Sequence, residues 1–221
     1  MRHILPLVLI CAIAGLSSCK KDKDDPDVTP GDSVEVYAGV YDATTFFHQV
    51  FSPPGTFTIQ WDSVNLYGHA TDSLDINGDG VIDLRFELSV LNNDSLHLLN
   101  GSTPNPYPYF YVEVADGWSV AAYQASYPTG LGHTSTATFA SPLEYNDRID
   151  THSLWKDKTA NPIKLWQLNP NNGMTPPFGD WYDAKGVAYL GLVKSGMGFG
   201  WLKIDVSDTN APILLESAIA N

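Results

Sequence analysis

Residues 75–91 read DINGDGVIDLRFELSVL, and the second half of this stretch decides the fold class. From residue 81 to residue 91 apolar and polar side chains alternate, and one face collects four apolar ones: Ile82, Leu84, Phe86 and Leu88. Successive side chains of a strand point to opposite faces of a sheet, so this period of two predicts a half-buried β-strand over 81–91.

Similar short segments recur on both sides of this strand between turn signals, and no stretch of 12 residues carries a helical stripe. Further strands are predicted at 34–41, 57–66, 95–99, 109–114, 118–126, 134–139, 163–168, 184–193, 200–206 and 213–218. Pro53, Pro54 and Gly55 predict a turn, and the best candidate for a helical turn is 141–148. The pattern favours an all-β fold, an antiparallel β-sandwich or jelly roll, in a single domain over residues 34–221.

The first half of the quoted stretch has the spacing of a calcium-binding loop. Oxygen ligands stand at loop positions 1, 3, 5, 7 and 9, in the order Asp75, Asn77, Asp79, the backbone carbonyl of Val81, and Asp83. Gly80 permits the sharp turn that such a loop makes at position 6. Hard oxygen ligands suit Ca²⁺, whereas a transition metal prefers His or Cys. We therefore predict a structural calcium ion that neutralises the carboxylates and locks two strands together.

Two features separate this loop from an EF-hand. Position 12 is Phe86, where an EF-hand has a bidentate Glu, and the alternation after the loop predicts a strand, not a helix. The segment therefore resembles an EF-hand loop that is set between β-strands. A metal-free hairpin turn around Asn77 and Gly78 is the alternative interpretation.

The first 19 residues have the organisation of a lipoprotein signal. Arg2 precedes an apolar run from Ile4 to Leu16, which is shorter than the ~20 residues that a membrane-spanning helix needs. Small residues follow, and then Cys19. This order is typical of a cleaved secretory signal, and it resembles the bacterial lipobox, in which the cysteine after the cleavage site carries lipid. We predict removal of residues 1–18 and lipidation of Cys19; an ordinary signal peptide with an incidental cysteine is the alternative.

Residues 19–33 are predicted to be a flexible tether. The segment from residue 20 to residue 32 reads KKDKDDPDVTPGD, and Val28 is its one apolar residue, so it has nothing to pack. The acidic cluster just after Cys19 resembles the export signal of Bacteroidetes-type surface lipoproteins. That resemblance implies an outer-membrane lipoprotein that faces the cell exterior, and a charged spacer on a periplasm-facing lipoprotein is the alternative.

Charge and cysteine content exclude several classes of function. The chain has 12 Lys and Arg against 25 Asp and Glu, a net charge of −13. Sequence-independent binding of nucleic acid needs clustered positive charge, so we predict no nucleic-acid partner. Cys11 lies in the predicted signal and Cys19 carries lipid, which leaves no thiol for a disulfide or a nucleophile. Stability must then come from the core and the metal.

The segment near the end of the chain carries a family resemblance. Residues 188–206 read AYLGLVKSGMGFGWLKIDV, and the pieces at 189–192 and 199–202 resemble a strand pair in many secreted bacterial proteins. Those proteins often have an upstream D-x-N-G-D-G-x-x-D segment, as at 75–83 here. The similarity spans roughly 74–218, with no recognisable match in the middle. It implies a surface lipoprotein with a secreted β domain of unknown function and supplies no catalytic residues.

No catalytic motif is found in the sequence outside the predicted signal. The histidines there are scattered: His48, His69, His97, His133 and His152. Two carboxylates can form a glycoside-hydrolase pair, and Glu87, Glu113 and Glu144 are the candidates. We predict a lipid-anchored, calcium-stabilised β-sandwich with a binding or scaffolding role and a glycan or protein ligand.

Two alternatives stay open. A carbohydrate-binding accessory lipoprotein is the first, because exposed aromatic faces stack on sugar rings; a glycan hydrolase is the second. The aromatic residues that raise this question are Tyr107, Tyr109, Phe110, Tyr111, Trp118, Trp155, Trp166 and Trp181. Packing of these rings into the core is the competing interpretation of the same residues.

Overall fold

The computed structural model describes residues 35–62, 67–91, 108–130, 133–158, 161–168 and 178–221. Regular structure in these ranges is almost entirely β, with one 3₁₀ turn at Asp180–Tyr182. The strands are β1 Val36–Tyr37, β2 Phe46–Thr56, β3 Gln60–Asp62, β4 Tyr67–Leu74, β5 Leu84–Leu91, β6 Tyr109–Val114, β7 Trp118–Gly130, β8 His133–Ala140, β9 Pro142–Leu143, β10 Arg148–Ile149, β11 Trp155–Lys156, β12 Ile163–Gln167, β13 Val187–Lys194, β14 Gly198–Asp205 and β15 Ile213–Ala220.

Most of these strands form one curled sheet in the order β2-β15-β14-β13-β7-β8-β12-β6-β5-β4-β3. The pairings along it are antiparallel except between β8 and β12, which meet in parallel at the single register pair Phe139 and Lys164. The predicted all-β, mostly antiparallel fold is confirmed. Its assignment to a β-sandwich or jelly roll stays a prediction, as does the single domain over residues 34–221.

The main core lies inside the curl of this sheet. Alternate residues of β5 and β6 point inward, among them Phe86 and Phe110, whose ring centroids are 5.6 Å apart. Leu190, Leu202 and Leu214 from β13–β15 belong to the same cluster of buried side chains. Both halves of the sheet therefore share one core. Burial of each such side chain adds about 1.5–3 kcal/mol to the free energy of unfolding.

A second, smaller core covers the opposite face of β13–β15. Trp155 stacks on Phe199 at 5.4 Å, and the indole N–H of Trp201 donates to the carbonyl of Val40 at 3.1 Å. The segments around β1 and β9–β11 supply the cover. Because β13 is buried on both faces, its sequence is a continuous apolar run and does not alternate.

Several predicted boundaries are wrong. The 81–91 strand begins only at Leu84, and Ile82, assigned to its buried face, is 43% exposed. The predicted turn at Pro53–Gly55 lies within β2. Val50 pairs with Glu216 and Gly55 with Leu214, so residues 51–54 of β2 bulge out of the pairing with β15. A proline has no N–H to donate to a neighbouring strand, and in a bulge the backbone does not need that hydrogen bond.

The 141–148 segment is also not helical. Its ends are the short strands β9 and β10, and a turn joins them at Asn146, whose φ is +72°. Strand β4 was not predicted at all, because its sequence YGHATDSL does not alternate clearly. Of the strand predicted at 57–66, residues 57–59 are not in a strand, Gln60–Asp62 form β3, and 63–66 lie outside the described residues. The signal at 1–18, the tether at 19–33 with Cys19, and the strand predicted at 95–99 lie outside the described residues.

Candidate metal-binding loop and outer groove

The loop at residues 75–83 joins β4 to β5 and is held closed at its ends. The N–H of Asp83 donates to the carbonyl of Leu74 at 2.8 Å, and the carbonyl of Asp83 accepts from Ala115 at 2.8 Å. Ile76 is fully buried in the main core. The loop is therefore fastened to the sheet by hydrogen bonds and by an apolar anchor.

Asp75, at position 1, organises the turn. One carboxylate oxygen accepts from the N–H groups of Gly78 at 2.7 Å and Asp79 at 3.2 Å, and the other accepts from Gly80 at 2.7 Å. Gly78 and Gly80 have φ of +73° and +85°, a region that other residues rarely adopt. A Cβ at Gly78 would also lie 2.6 Å from the ring of Phe47. The glycines in the motif are thus required by the turn itself.

Asn77 and Asp79 lie side by side at the centre of the loop. The amide nitrogen of Asn77 donates to Asp79 Oδ2 at 2.9 Å, and Asp79 Oδ1 accepts from the N–H of Val81 at 2.9 Å. Lys194, on β13, places its Nζ 3.2 Å from Asp79 Oδ2. These three contacts lower the pKa of Asp79, the bond from Asn77 most of all. Asn77 Oδ1 is buried and has no hydrogen-bond partner among the described residues.

Asp83, at position 9, is only 3% exposed. Its Oδ2 accepts from the N–H of Ile76 at 2.8 Å, and the indole of Trp118 also hydrogen bonds to this carboxylate. Burial raises the pKa of Asp83 above its ordinary value despite these bonds. The side chain is therefore tied to the backbone and to β7.

The fit of this loop to a cation is mixed. Within the described ranges, no three or more His, Cys, Asp or Glu side chains are grouped so that they could hold a metal ion. The ammonium of Lys194 instead supplies positive charge beside Asp79. Asn77 Oδ1 is the observation that favours a cation, because a buried oxygen without a partner costs free energy. Calcium binding by Asp75, Asn77, Asp79, Val81 and Asp83 stays a prediction.

The candidate catalytic carboxylates are partly brought together. Glu87 pairs with Tyr111 and Glu113 with Arg85, so the two glutamates are diagonal neighbours on the outer face of β5 and β6. Glu87 accepts a hydrogen bond from Tyr109. Glu144 lies apart from them, in the turn between β9 and β10.

His48, on β2, belongs to a group of stacked and charged side chains. It stacks on Tyr41 at 3.7 Å and lies 3.1 Å from Glu216, whose other oxygen is 2.6 Å from Lys203. Burial acts to raise the pKa of Glu216, but hydrogen bonds from Lys203 and His48 outweigh it and lower that pKa. His97 lies outside the described residues.

The aromatic residues divide between the core and the outer face. Trp118, Trp155, Trp166 and Trp181 are buried, as the core interpretation expects. Tyr109 and Tyr111 instead stack on each other at 4.0 Å on the outer face of β6, and both are half-buried. Tyr107 lies outside the described residues.

An open cavity of about 440 Å³, which we name the outer groove, lies beside Tyr111. It lies beside the junction of β8 and β12, which share the single register pair Phe139 and Lys164. Its lining is Tyr111, Gln124, Tyr127, Ser135, Thr136, Ala137, Thr138, Asn161, Pro162 and Lys164. The volume falls within the range of about 300–1,000 Å³ that is typical of small-ligand sites.

Sequence reasoning missed two lysines that bear on these sites. Lys194 reaches Asp79 across 115 positions, and Lys164 reaches Tyr127 across 37. No local motif marks either residue, because only the sheet order brings them to their partners.

No family model, curated protein or solved structure matches this chain. No helix among the described residues is long and apolar enough to cross a bilayer.

Proposed function

We propose that the chain is a lipid-anchored, calcium-stabilised β protein that acts at the cell surface in a binding or scaffolding role. The outer groove is the observation that carries the binding role. Its concave surface offers a ligand two aromatic faces together with hydroxyl, amide and ammonium groups. The N-terminal signal supports the location, and the loop at 75–83 supports the metal.

Calcium at this loop is supported by ligand type and by the unpartnered oxygen of Asn77. The ion would be held by Asp75, Asn77 and Asp79, with the carbonyl of Val81 and Asp83 completing the set. It would supply positive charge to these oxygens and fasten the β4–β5 connection. Extracellular calcium sites have Kd of roughly 10⁻⁴–10⁻³ M, so a weak site suffices outside a cell.

Lys194→Gln is expected to tighten calcium binding on the order of tenfold, because its ammonium repels a divalent cation and competes for Asp79. Isothermal titration of calcium at low ionic strength measures the change. Lys203→Gln is the matched control, since that lysine pairs with Glu216 and not with a loop carboxylate. Equal or weaker calcium binding by the Lys194 variant would contradict a site at Asp79.

Cys19→Ala is expected to abolish lipid attachment. When the full chain is produced in a bacterium that exports lipoproteins, the wild type should incorporate radioactive fatty acid and enter the detergent phase. Cys11→Ala is the control, because that cysteine lies in the predicted signal and should leave labelling intact. A wild-type chain without label would refute the anchor.

The surface location has its own test. Protease added to intact cells should degrade the protein if it faces the exterior. Survival of the protein under this treatment, with degradation after lysis, would place it on the periplasmic side.

Carbohydrate binding is the second candidate, and it is favoured by the tyrosines and hydroxyl side chains of the outer groove. Affinity gels that contain soluble glycans test it, because a pure scaffold should migrate alike in every gel. Release of reducing sugar would instead indicate hydrolysis, with Glu87 and Glu113 as the pair to substitute first.

A further inference from the structure

The outer groove has an unusual charge for this chain. Acidic residues outnumber basic ones by 25 to 12, yet the described lining contains no Asp or Glu and one Lys. Lys164 projects from β12, between Tyr111 on β6 and Phe139 on β8. A local site of positive charge therefore lies on a molecule whose total charge is strongly negative.

The Lys164 ammonium is held by rings and neutral oxygens. Its Nζ lies 5.2 Å from the ring centroid of Tyr127 and 5.9 Å from those of Tyr111 and Phe139. It donates to the hydroxyl of Tyr127 at 3.3 Å and to the amide oxygen of Gln167. None of the salt bridges between described residues includes Lys164.

A half-buried ammonium without a carboxylate keeps the capacity to bind an anion. Aromatic faces compensate part of its lost hydration, but a charge-assisted hydrogen bond to a carboxylate is stronger than one to a neutral oxygen. The side chain is also fixed in place by two hydrogen bonds and three rings. A ligand carboxylate would therefore meet an oriented donor.

The rest of the lining suits a ring that carries many hydroxyls. Ser135 offers a hydroxyl group on the same face of β8 as Phe139, which is the face of Lys164. Gln124, Thr136 and Thr138 line the groove from the other face of β7 and β8, where the Thr136 hydroxyl is hydrogen bonded to that of Ser126 at 3.0 Å. Tyr111 and Tyr127 add flat apolar surface. Burial raises the pKa of Tyr111 to about 12, so its hydroxyl stays a neutral donor at physiological pH.

We propose that the outer groove binds an acidic saccharide, with the sugar carboxylate on Lys164 and the ring against Tyr111 or Tyr127. This inference rests on the proposed binding role and names its ligand class. One cation on a chain of charge −13 is too little for a polyphosphate or a nucleic acid. It matches a ligand with a single carboxylate per ring.

Affinity electrophoresis of the full chain, in detergent and at a calcium concentration too low to gel pectate or alginate, tests the proposal. Pectate, alginate and hyaluronan are the acidic probes, and the carboxyl-reduced form of each is its neutral partner. At least one acidic polymer should retard the protein, and its neutral form should retard it less. General attraction does not explain such a result, because an acidic protein is repelled by acidic polymers.

Variants of Lys164 identify the site. Lys164→Gln should weaken binding of the acidic polymer at least about tenfold, which corresponds to ~1.4 kcal/mol, and Lys164→Arg should restore most of it. Lys185→Gln removes the same charge from an exposed loop and should change binding less than twofold. Circular dichroism and melting temperature establish that each variant is folded.

Four outcomes would overturn the inference. Binding that survives Lys164→Gln places the ligand elsewhere, and a folded wild type that binds only the neutral polymers leaves the binding role standing without an acidic ligand. Retardation by polyglutamate with the same dependence on Lys164 would assign the groove to acidic peptides. A wild type that binds none of the sugars and no peptide would also remove the binding role of the groove and would leave scaffolding as the proposed function.

Discussion

Trp118→Ala is expected to lower the free energy of unfolding by about 3–5 kcal/mol, the largest loss that we expect from one substitution. The side chain is 1% exposed and lies in the main core at the start of β7. Its indole hydrogen bonds to the buried carboxylate of Asp83, and the Lys194 ammonium lies 5.1 Å above its ring. The variant therefore creates a cavity and also leaves Asp83 with one donor fewer.

Thermal and urea unfolding measure this loss, and the melting temperature should fall by about 10 °C in a domain of this size. Trp61→Ala is the matched control, because that tryptophan is 53% exposed on β3 and should cost less than about 1 kcal/mol. Equal losses in the two variants would contradict the placement of Trp118 in the core.

Calcium removal is expected to destabilise the wild type by about 2.7 kcal/mol when the ion had been present at a hundredfold excess over its Kd. Asp79→Ala should lose this increment, so that chelator no longer changes its melting temperature. Asp79 is the better choice for substitution than Asp75, whose carboxylate caps three N–H groups of the loop with or without a metal. An Asp75 variant would lose the hydrogen bonds of the turn as well as a predicted calcium ligand.

Asp116→Ala controls for the loss of an exposed ion pair. Asp116 lies 3.1 Å from Lys158, much as Asp79 lies 3.2 Å from Lys194, but it is outside the loop. Its melting temperature should keep the full response to calcium. A wild type that melts at the same temperature in chelator and in millimolar calcium would show that the loop needs no ion.

Strands with a clear period of two could be predicted from sequence. Tyr109–Val114 has the predicted bounds, and the 189–192 and 199–202 pieces do form a strand pair, with Leu190 opposite Leu202. Alternation is informative in Tyr109–Val114 because only one face is buried, whereas β13 is buried on both faces and is marked by a continuous apolar run. The all-β class follows from the same signal.

The remaining features depend on contacts between distant segments. Strand β4 has little alternation of its own and is a strand because β3 and β5 flank it. In the loop, the motif indicated that Asp75, Asn77 and Asp79 share a turn, but it carried no sign that Lys194 would lie beside Asp79. The outer groove likewise is lined by residues of β6, β7, β8 and β12, which only the sheet order brings together.

The pairing of β2 with β15 has a consequence for the order of folding. His48 on β2 contacts Glu216 on β15, 168 positions later, and the two strands are hydrogen bonded along most of their length. Such high contact order slows folding, because the chain loses the entropy of closing a long loop before the contacts between the two strands can stabilise it. Among the described strands β2 pairs only with β15, so its hydrogen bonds to the sheet cannot form until the last strand of the sheet is available.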